Sequence, residues 1–219
     1  ALIDPATAQP LTVASFDTHL DPQAGGAMAD FIAAAPPRAL IAVAATGTDI
    51  VGMDVDAAGL ITLKLMGRPV TPKPPEKLKE IIQRSGMKFI LKGIMTPNEA
   101  ETAVEVGAHA IVVSNHGGRV LDHTPGAAEV LPAVADAVKG RITILADGGV
   151  RTGGDVLKML ALGADAVMIG RPFSVAAVGG LLDGVAAYID KIKSELISAM
   201  VLTGTGSVRS VKRSILYAG

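Results

Sequence analysis

At 219 residues the chain is long enough for one large domain or two small ones, and 49% hydrophobic residues with only 3% aromatics require a core of Ala, Val, Ile and Leu. A net charge of -1, from 20 basic and 21 acidic residues with no basic block or aromatic-interleaved patch, excludes nucleic acid as an expected partner. The absence of cysteine excludes disulfides, thiolate metal sites and cysteine nucleophiles and gives no sign of an oxidising compartment, so a cytoplasmic location is expected. No apolar run approaches the length of a bilayer crossing, so no membrane is expected as a partner. The chain opens on Ala1 with neither an initiator Met nor a charged leader, which reads as a fragment or a processed product.

Residues 1–48 differ in style from the remainder of the chain. Ala1-Leu2-Ile3 and the run Pro10 to Phe16 are strand-like segments around the turn-rich Asp4 to Gln9, which predicts a hairpin. Ala24 to Ala35 reads as an Ala-rich helix stopped by Pro36-Pro37, and Ala39 to Ala44 as a buried strand. Asp17, Thr18 and His19 read as a hydrogen-bonded turn. Leu2-Ile3-Asp4-Pro5 and Phe16-Asp17-Thr18-His19 weakly resemble an interleukin-like domain of the kind found in secreted cytokine-like proteins and a glycosyltransferase stem, which would make residues 1–48 a separate binding or scaffolding segment.

From Ile50 a strand-then-helix rhythm sets in, which is the pattern of a parallel α/β sheet or barrel over residues 49–219. Strands are predicted at Ile50 to Asp56, Lys88 to Ile94, Ala110 to Val113, Ile142 to Asp147 and Ala166 to Gly170. Helices are predicted at Pro75 to Arg84, Pro97 to Val106, Ala127 to Val138 and Gly154 to Leu162, the later three closing near Gly107, Gly140 and Gly163. Thr96-Pro97-Asn98-Glu99 carries a Thr cap, a Pro in the first turn and an acid against the helix dipole. Gly67 to Pro75, with four prolines, predicts a stiff extended loop; Leu181 to Leu202 predicts an amphipathic helix across the end, and the tail from Gly204 is polar and peripheral. Five βα units fall short of the eight that close a TIM barrel, so the fold is a partial TIM-barrel-like sheet, or one completed by atypical N-terminal strands.

Each predicted strand ends in residues that a core would not choose, at the edge where parallel α/β folds place their sites. Asp56, Lys92, Ser114 with His116, Asp147 with Gly148 and Gly149, and Gly170 with Arg171 all stand there. His116 is the candidate base, because an imidazole titrates near neutral pH, and Arg119 offers a planar fork that matches a carboxylate. Asp56 is placed to support a protonated imidazole. Asp147-Gly148-Gly149-Val150-Arg151 and Ile169-Gly170-Arg171-Pro172 read as a phosphate cradle of glycine amides and guanidinium groups. The plainer alternatives are a glycine turn carrying a solvated His and Arg, Arg151 and Arg171 paired with Asp155 or other carboxylates at helix starts, and Lys92 paired with Asp56 or Asp147. His109 and His123 read as surface residues, and no metal-ligand spacing emerges, so no metal is expected.

Leu91-Lys92-Gly93-Ile94, Val113 to Arg119 with Leu121-Asp122, Asp147 to Arg151, Asp155 to Lys158, Ala161 to Ala164 and Ile169 to Pro172 together resemble the FMN-dependent 2-hydroxy acid oxidases and dehydrogenases, the glycolate and lactate oxidase family. The resemblance runs from about Ile50 to Leu202 and corresponds to the fourth through eighth units of that family's TIM barrel. It implies FMN as cofactor and a small 2-hydroxy acid as substrate, oxidised to the 2-keto acid. It further implies His116 as base, Arg119 as carboxylate clamp, Asp56 as support for the imidazolium, Lys92 beside the flavin N1 and O2 edge and Ser114 near the ring system. The cradle, with Asp147, Gly148, Gly149, Arg151, Gly170 and Arg171, would hold the cofactor and its phosphate.

The chain also departs from that family. The first three units have no visible counterpart, the only tyrosines are Tyr188 and Tyr217, and Ala57-Ala58-Gly59 lacks the arginine that often comes after the family's aspartate. Between Ile61 and Pro74 the next loop is short. Two readings therefore stand: a flavin-dependent oxidoreductase, or a non-catalytic partial barrel fused to an interaction module and retaining at most FMN or phosphate binding. An exposed barrel edge predicts a homo-oligomer in either case.

Overall fold

The computed structural model describes residues 2–3, 10–11, 50–67 and 70–217. The helix predicted at Ala24 to Ala35, the strand at Ala39 to Ala44 and the turn at Asp17 to His19 lie outside the described residues. Strand β1 (Leu2–Ile3) pairs antiparallel with β2 (Pro10–Leu11), Leu2 opposite Leu11, as a hairpin requires.

Five strands form one parallel sheet in sequential order: β3 (Ile50–Asp54), β4 (Lys88–Ile94), β5 (Ala110–Val113), β6 (Thr143–Ala146) and β7 (Ala166–Val167). Sequential parallel order, each strand beside its predecessor, is the topology of a (β/α) barrel wall. A short helix α1 (Ile61–Leu65) and then α2 (Pro75–Ser85) lead from β3 to β4, while α3 (Pro97–Glu105), α4 (Ala127–Val138) and α5 (Gly153–Leu162) make the remaining crossovers. Both later starts that carry Thr close a reciprocal cap: the Thr96 hydroxyl accepts from Glu99 N while Glu99 accepts from Thr96 N, and Thr152 and Asp155 repeat the exchange.

Side chains alternate along a strand, and the two faces here have different fates. Phe89, Leu91, Ile111, Val113 and Ile144 face the helices and are buried against Ala100, Ala103, Leu131, Val134, Ala135 and Val138. These small partners are what an aromatic-poor chain can offer, and they let the helices lie close. On the other face Ile90, Ala110, Val112, Leu145, Ala166 and Met168 form a second apolar layer. Two positions beyond Ile90, Val112 and Leu145 on that inner face come Lys92, Ser114 and Asp147. The polar residues of the sequence are thus the next inner layer, at the carboxyl edge.

Several predicted boundaries move. Strand β3 stops at Asp54, and Asp56 opens a single helical turn, Asp56–Gly59. The last strand shortens to Ala166–Val167, and the predicted extended loop is preceded by α1. The tail is not loose, because Arg213 forms a bidentate pair with Asp136 of α4 at 3.1 and 2.8 Å. The helix expected from Leu181 continues an earlier one, and together they are assigned as α6 (Arg171–Leu202), which by length and composition alone could cross a membrane, where the sequence reading found no apolar run of that length. It breaks at Leu181 (φ 49°, ψ -133°), just after Gly179 and Gly180. Val175, Val178, Leu181 and Leu182 around the break are exposed.

Beyond the break, α6 lies directly on α5. A Cβ on Gly153 would stand 2.0 Å from Leu196 N and 2.4 Å from Ile192 O, so this contact exists only because residue 153 has no side chain. Gly153→Ala is expected to force the helices apart and to cost about 1–3 kcal/mol, as overpacking does. Gly154→Ala, whose Cβ meets nothing nearer than Thr152 Oγ1 at 3.7 Å, serves as the control. Urea unfolding checks this: a lowered midpoint for the first variant and not the second is the expected result.

Candidate active site

In register, Asp54 of β3 stands opposite Lys92 of β4, and both project from the inner face. Their side chains meet, with Lys92 Nζ 2.8 Å from Asp54 Oδ1. The same Nζ is 3.5 Å from His116 Nδ1, and that ring nitrogen is in turn 3.2 Å from each oxygen of Asp56. Asp54, Lys92, His116 and Asp56 therefore form one continuous chain of polar contacts at the mouth of the sheet. The alternative in which Lys92 pairs with Asp56 or Asp147 is replaced by the pair with Asp54, because in-register neighbours on one face are the nearest available partners.

Two backbone features deliver this cluster. At Gly93 (φ 99°) the β4–β5 register slips, and a Cβ there would lie 2.5 Å from Asp56 Cγ. Gly93 thus provides the space in which the Asp56 carboxyl reaches the imidazole. After β5, His116, Gly117 and Gly118 adopt left-handed φ values of 58°, 69° and 77° in succession. Asn115 stabilises that reversal: its Oδ1 accepts from Gly117 N and Gly118 N, and its Nδ2 donates to Pro125 O. Ser114, fully buried, accepts from His116 N at 3.1 Å and so braces the loop from beneath. Arg119 Nε donates to His116 O, which leaves the terminal guanidinium nitrogens for a ligand.

The opposite end is built from β6 and the start of α6. Asp147 N continues the sheet ladder to Val113 O, and Asp147 Oδ1 is buried with no hydrogen-bond partner among the described residues. A buried carboxylate oxygen with no donor is costly, so this atom is set up to accept from something the cavity receives. Arg151 Nη1 donates to Gly149 O. Asp155 does not take either guanidinium; it accepts the backbone N–H groups of Arg151 and Thr152. Burial opposes ionisation of Asp155, and the bonds from the Thr152 hydroxyl and the two amides outweigh it, holding the carboxyl below its ordinary value. Tyr188 of α6 donates to Arg151 O and meets Phe173 edge to face at 4.9 Å, fixing the start of α6 against this loop. Arg171 has no carboxylate partner among the described residues, and its Nη2 would be 3.0 Å from a Cβ on Gly117.

One cavity of about 430 Å³ joins the two ends. It is lined by Lys92, His116 and Arg119 on one side and by Asp147, Gly148, Gly149, Arg151, Gly170 and Arg171 on the other. Asp56 and Ser114 stand behind it. Asp54, Gly93 and Asn115 have no role in the sequence reading; for Asp54 the signal is present, as it shares the inner face with Lys92 and precedes Asp56 by two. His123 is exposed, and His109 Nδ1 accepts from Phe89 N at the start of β4, away from the cavity. Donor atoms of Asp54, Asp56 and His116 lie within 4.8 Å of one another, and the ammonium of Lys92 supplies the positive charge among them.

Residues 30–218 match the FMN-dependent dehydrogenase family, so the likeness begins within the segment assigned from sequence to a separate N-terminal unit. An L-lactate dehydrogenase of Xanthomonas campestris pv. campestris (strain B100) is 52% identical over 128 residues, covering 58% of this chain and 33% of the relative. One of Acinetobacter baylyi is 51% identical over 130 residues, with the same two shares. Among solved structures, a mandelate oxidase with 3,3-difluoro-2-hydroxy-3-phenylpropionic acid aligns with a TM-score of 0.69 at 35% identity, over 76% of this chain and 54% of that one. A mandelate oxidase variant with the monooxide FMN adduct aligns at 0.68 and 37% identity, with the same two shares. The chain spans about a third of the length of these curated relatives and just over half of the structural neighbours.

Two outcomes test the geometry without any ligand. Gly93→Ala should displace the Asp56 carboxyl, so that the His116 ring resonances in NMR spectra move to where Asp56→Asn puts them; unchanged resonances would show the contact to be unimportant. Asp155, whose carboxyl ionises more readily folded than unfolded, contributes stability that is present above its ordinary value of 3.8 and is lost as pH falls through its lower folded value. Asp155→Asn should therefore be less stable than the parent at neutral pH and converge with it in acid, as read by urea unfolding across pH.

Proposed function

This chain belongs to the FMN-dependent dehydrogenase family, and from that premise we propose that it oxidises a small 2-hydroxy acid to the 2-keto acid with FMN as cofactor. One observation carries the proposal: a histidine held by a carboxylate through Nδ1 shares a cavity with Arg119 at one end and with a cradle of glycines and arginines at the other.

The cavity's own groups fit that cofactor. Asp147 Oδ1, which has no partner among the described residues, would accept from a hydroxyl of the cofactor's ribityl chain. Gly149, Gly170, Arg151 and Arg171 would hold the phosphate, and Lys92 would face the electron-rich pyrimidine edge. When bound, FMN supplies the two-electron acceptor. The chain supplies the rest. Arg119, with its Nε already engaged, presents its terminal nitrogens to the substrate carboxylate. His116, with Nδ1 turned to Asp56, has Nε2 available to take the proton that the hydroxy acid gives up, and Asp56 stabilises the imidazolium that results. The substrate class is drawn from the relatives, which are named for L-lactate and mandelate.

A second reading is favoured by the five-stranded sheet, three strands short of a closed barrel among the described residues. Under it the chain keeps FMN or phosphate binding and performs no turnover. In either reading the exposed apolar residues of α6 support a homo-oligomer, which sedimentation velocity would detect.

Absorbance separates the two readings. The chain mixed with FMN should show a bound flavin band that L-lactate or mandelate bleaches, and His116→Ala should retain the band while bleaching slows by about 10²–10⁴-fold. A bound flavin that no 2-hydroxy acid reduces would select the non-catalytic reading, and an unbound one would remove the enzymatic reading and reduce the second to phosphate binding.

A further inference from the structure

We propose that Asp54 is a positioning residue that sets the tautomer of His116 by holding the Lys92 ammonium away from Nδ1. The inference rests on the reading of His116 as the base and asks what keeps that base in working form.

Nδ1 of His116 has two competing neighbours, the Asp56 carboxylate with both oxygens at 3.2 Å and the Lys92 ammonium at 3.5 Å. They make opposite demands on one atom. A carboxylate accepts only, so it requires a hydrogen on Nδ1 and leaves the lone pair on Nε2. An ammonium donates only, so it requires the lone pair on Nδ1 and puts the hydrogen on Nε2. In the second state the ring cannot accept a proton at the nitrogen remote from Asp56. Where the Lys92 ammonium rests therefore decides whether His116 is a base.

Asp54 settles the competition by position. It is in register with Lys92 on the neighbouring strand, and its Oδ1 takes the ammonium at 2.8 Å, nearer than the ring nitrogen at 3.5 Å. Lys92 is four-fifths buried and cannot turn fully to water, whereas Asp54 is two-fifths exposed and remains hydrated at the cavity edge. Two other cations stand near the ring: Arg119, whose Nε is bound to His116 O, and Arg171, which lies over Gly117. Lys92 is thus the group whose release would change the ring, and Asp54 is the group that holds it.

The test reads the ring itself in the full chain, with neither flavin nor substrate. In a sample with ¹⁵N-labelled histidine, held at a pH where the imidazole is neutral, long-range proton–nitrogen correlations report which ring nitrogen carries hydrogen; His116→Gln identifies the signals. The parent should show mainly the Nδ1–H form. Asp54→Asn should lower the ratio of Nδ1–H to Nε2–H about tenfold, the change expected when one charged hydrogen bond of ordinary strength changes sides. Asp54→Glu should keep the parent ratio. Adding Lys92→Met to Asp54→Asn should restore it, which a merely structural role for Asp54 would not produce. An unchanged ratio in Asp54→Asn, or no restoration in the double variant, overturns the proposal. Should Asp54→Asn not fold, Asp54→Ser with and without Lys92→Met carries the same two expectations. A parent that shows the Nδ1–H form but is never bleached by a hydroxy acid would defeat the proposed function and leave this inference standing.

Discussion

Parallel strands in sequential order put every carboxyl end on one edge, and the two-residue alternation of side chains then dictates which residue of each strand looks inward there. Everything at the candidate site depends on that constraint. Ile90, Val112 and Leu145 close one inner layer with apolar groups, and two residues later the same positions hold Lys92, Ser114 and Asp147. Asp54 joins them through its register with Lys92. A slip of one residue in β4 would carry Lys92 into the helix-facing core among Phe89 and Leu91, where an ammonium could not remain charged. The register of the sheet and the electrostatics of the mouth are therefore one requirement.

The charges at that mouth are arranged to be incomplete. Lys92, Arg119, Arg151 and Arg171 line the cavity against Asp54 and Asp147, so cations outnumber anions along its wall. Lys92 is balanced by Asp54, while Arg171 has no carboxylate among the described residues and Asp147 Oδ1 has no donor. Such leftovers are costly in a folded chain unless a ligand completes them. A dianionic phosphate at one end, hydroxyl donors in the middle and a carboxylate at the other would do so, which is the pattern of charge on FMN beside a hydroxy acid.

Much of this is legible in the sequence. Ala110 to Val113 and Lys88 to Ile94 are readable to the residue because they are short apolar runs recurring in a strand-then-helix rhythm, and Ala127 to Val138 because its apolar stripe is long and bounded. The cap at Thr96 comes from local chemistry alone. The hidden part depends on partners distant in sequence. Nothing local to Gly-Met-Asp-Val-Asp says that Asp54 rather than Asp56 meets Lys92; that is decided by register across 38 positions. Gly93 reads as a weak point in a strand until Asp56 is seen to occupy the space its missing Cβ leaves. The helical run from Leu181 to Leu202 is legible, since α6 breaks at Leu181, while the turns from Arg171 that precede the break are held by the contact of Phe173 with Tyr188, which no window of sequence displays.

The left-handed run at His116 shows how the chain accommodates strain at the point of use. A non-glycine residue at φ 58° is uncommon, and two glycines continue the same sense here at 69° and 77°. The Ser114 hydroxyl takes His116 N, and the Asn115 carboxamide takes the next two amides, so every N–H exposed by the reversal is satisfied without the backbone of a regular element. The reversal turns the imidazole back over the sheet edge to Asp56, and the bare Gly117 backbone leaves space for Arg171 to lie across it. An alanine at 117 would be strained by its φ and would crowd that guanidinium at 3.0 Å. The same three residues therefore orient the His116 imidazole and admit the Arg171 guanidinium, which makes this loop the mechanical link between the two halves of the cavity.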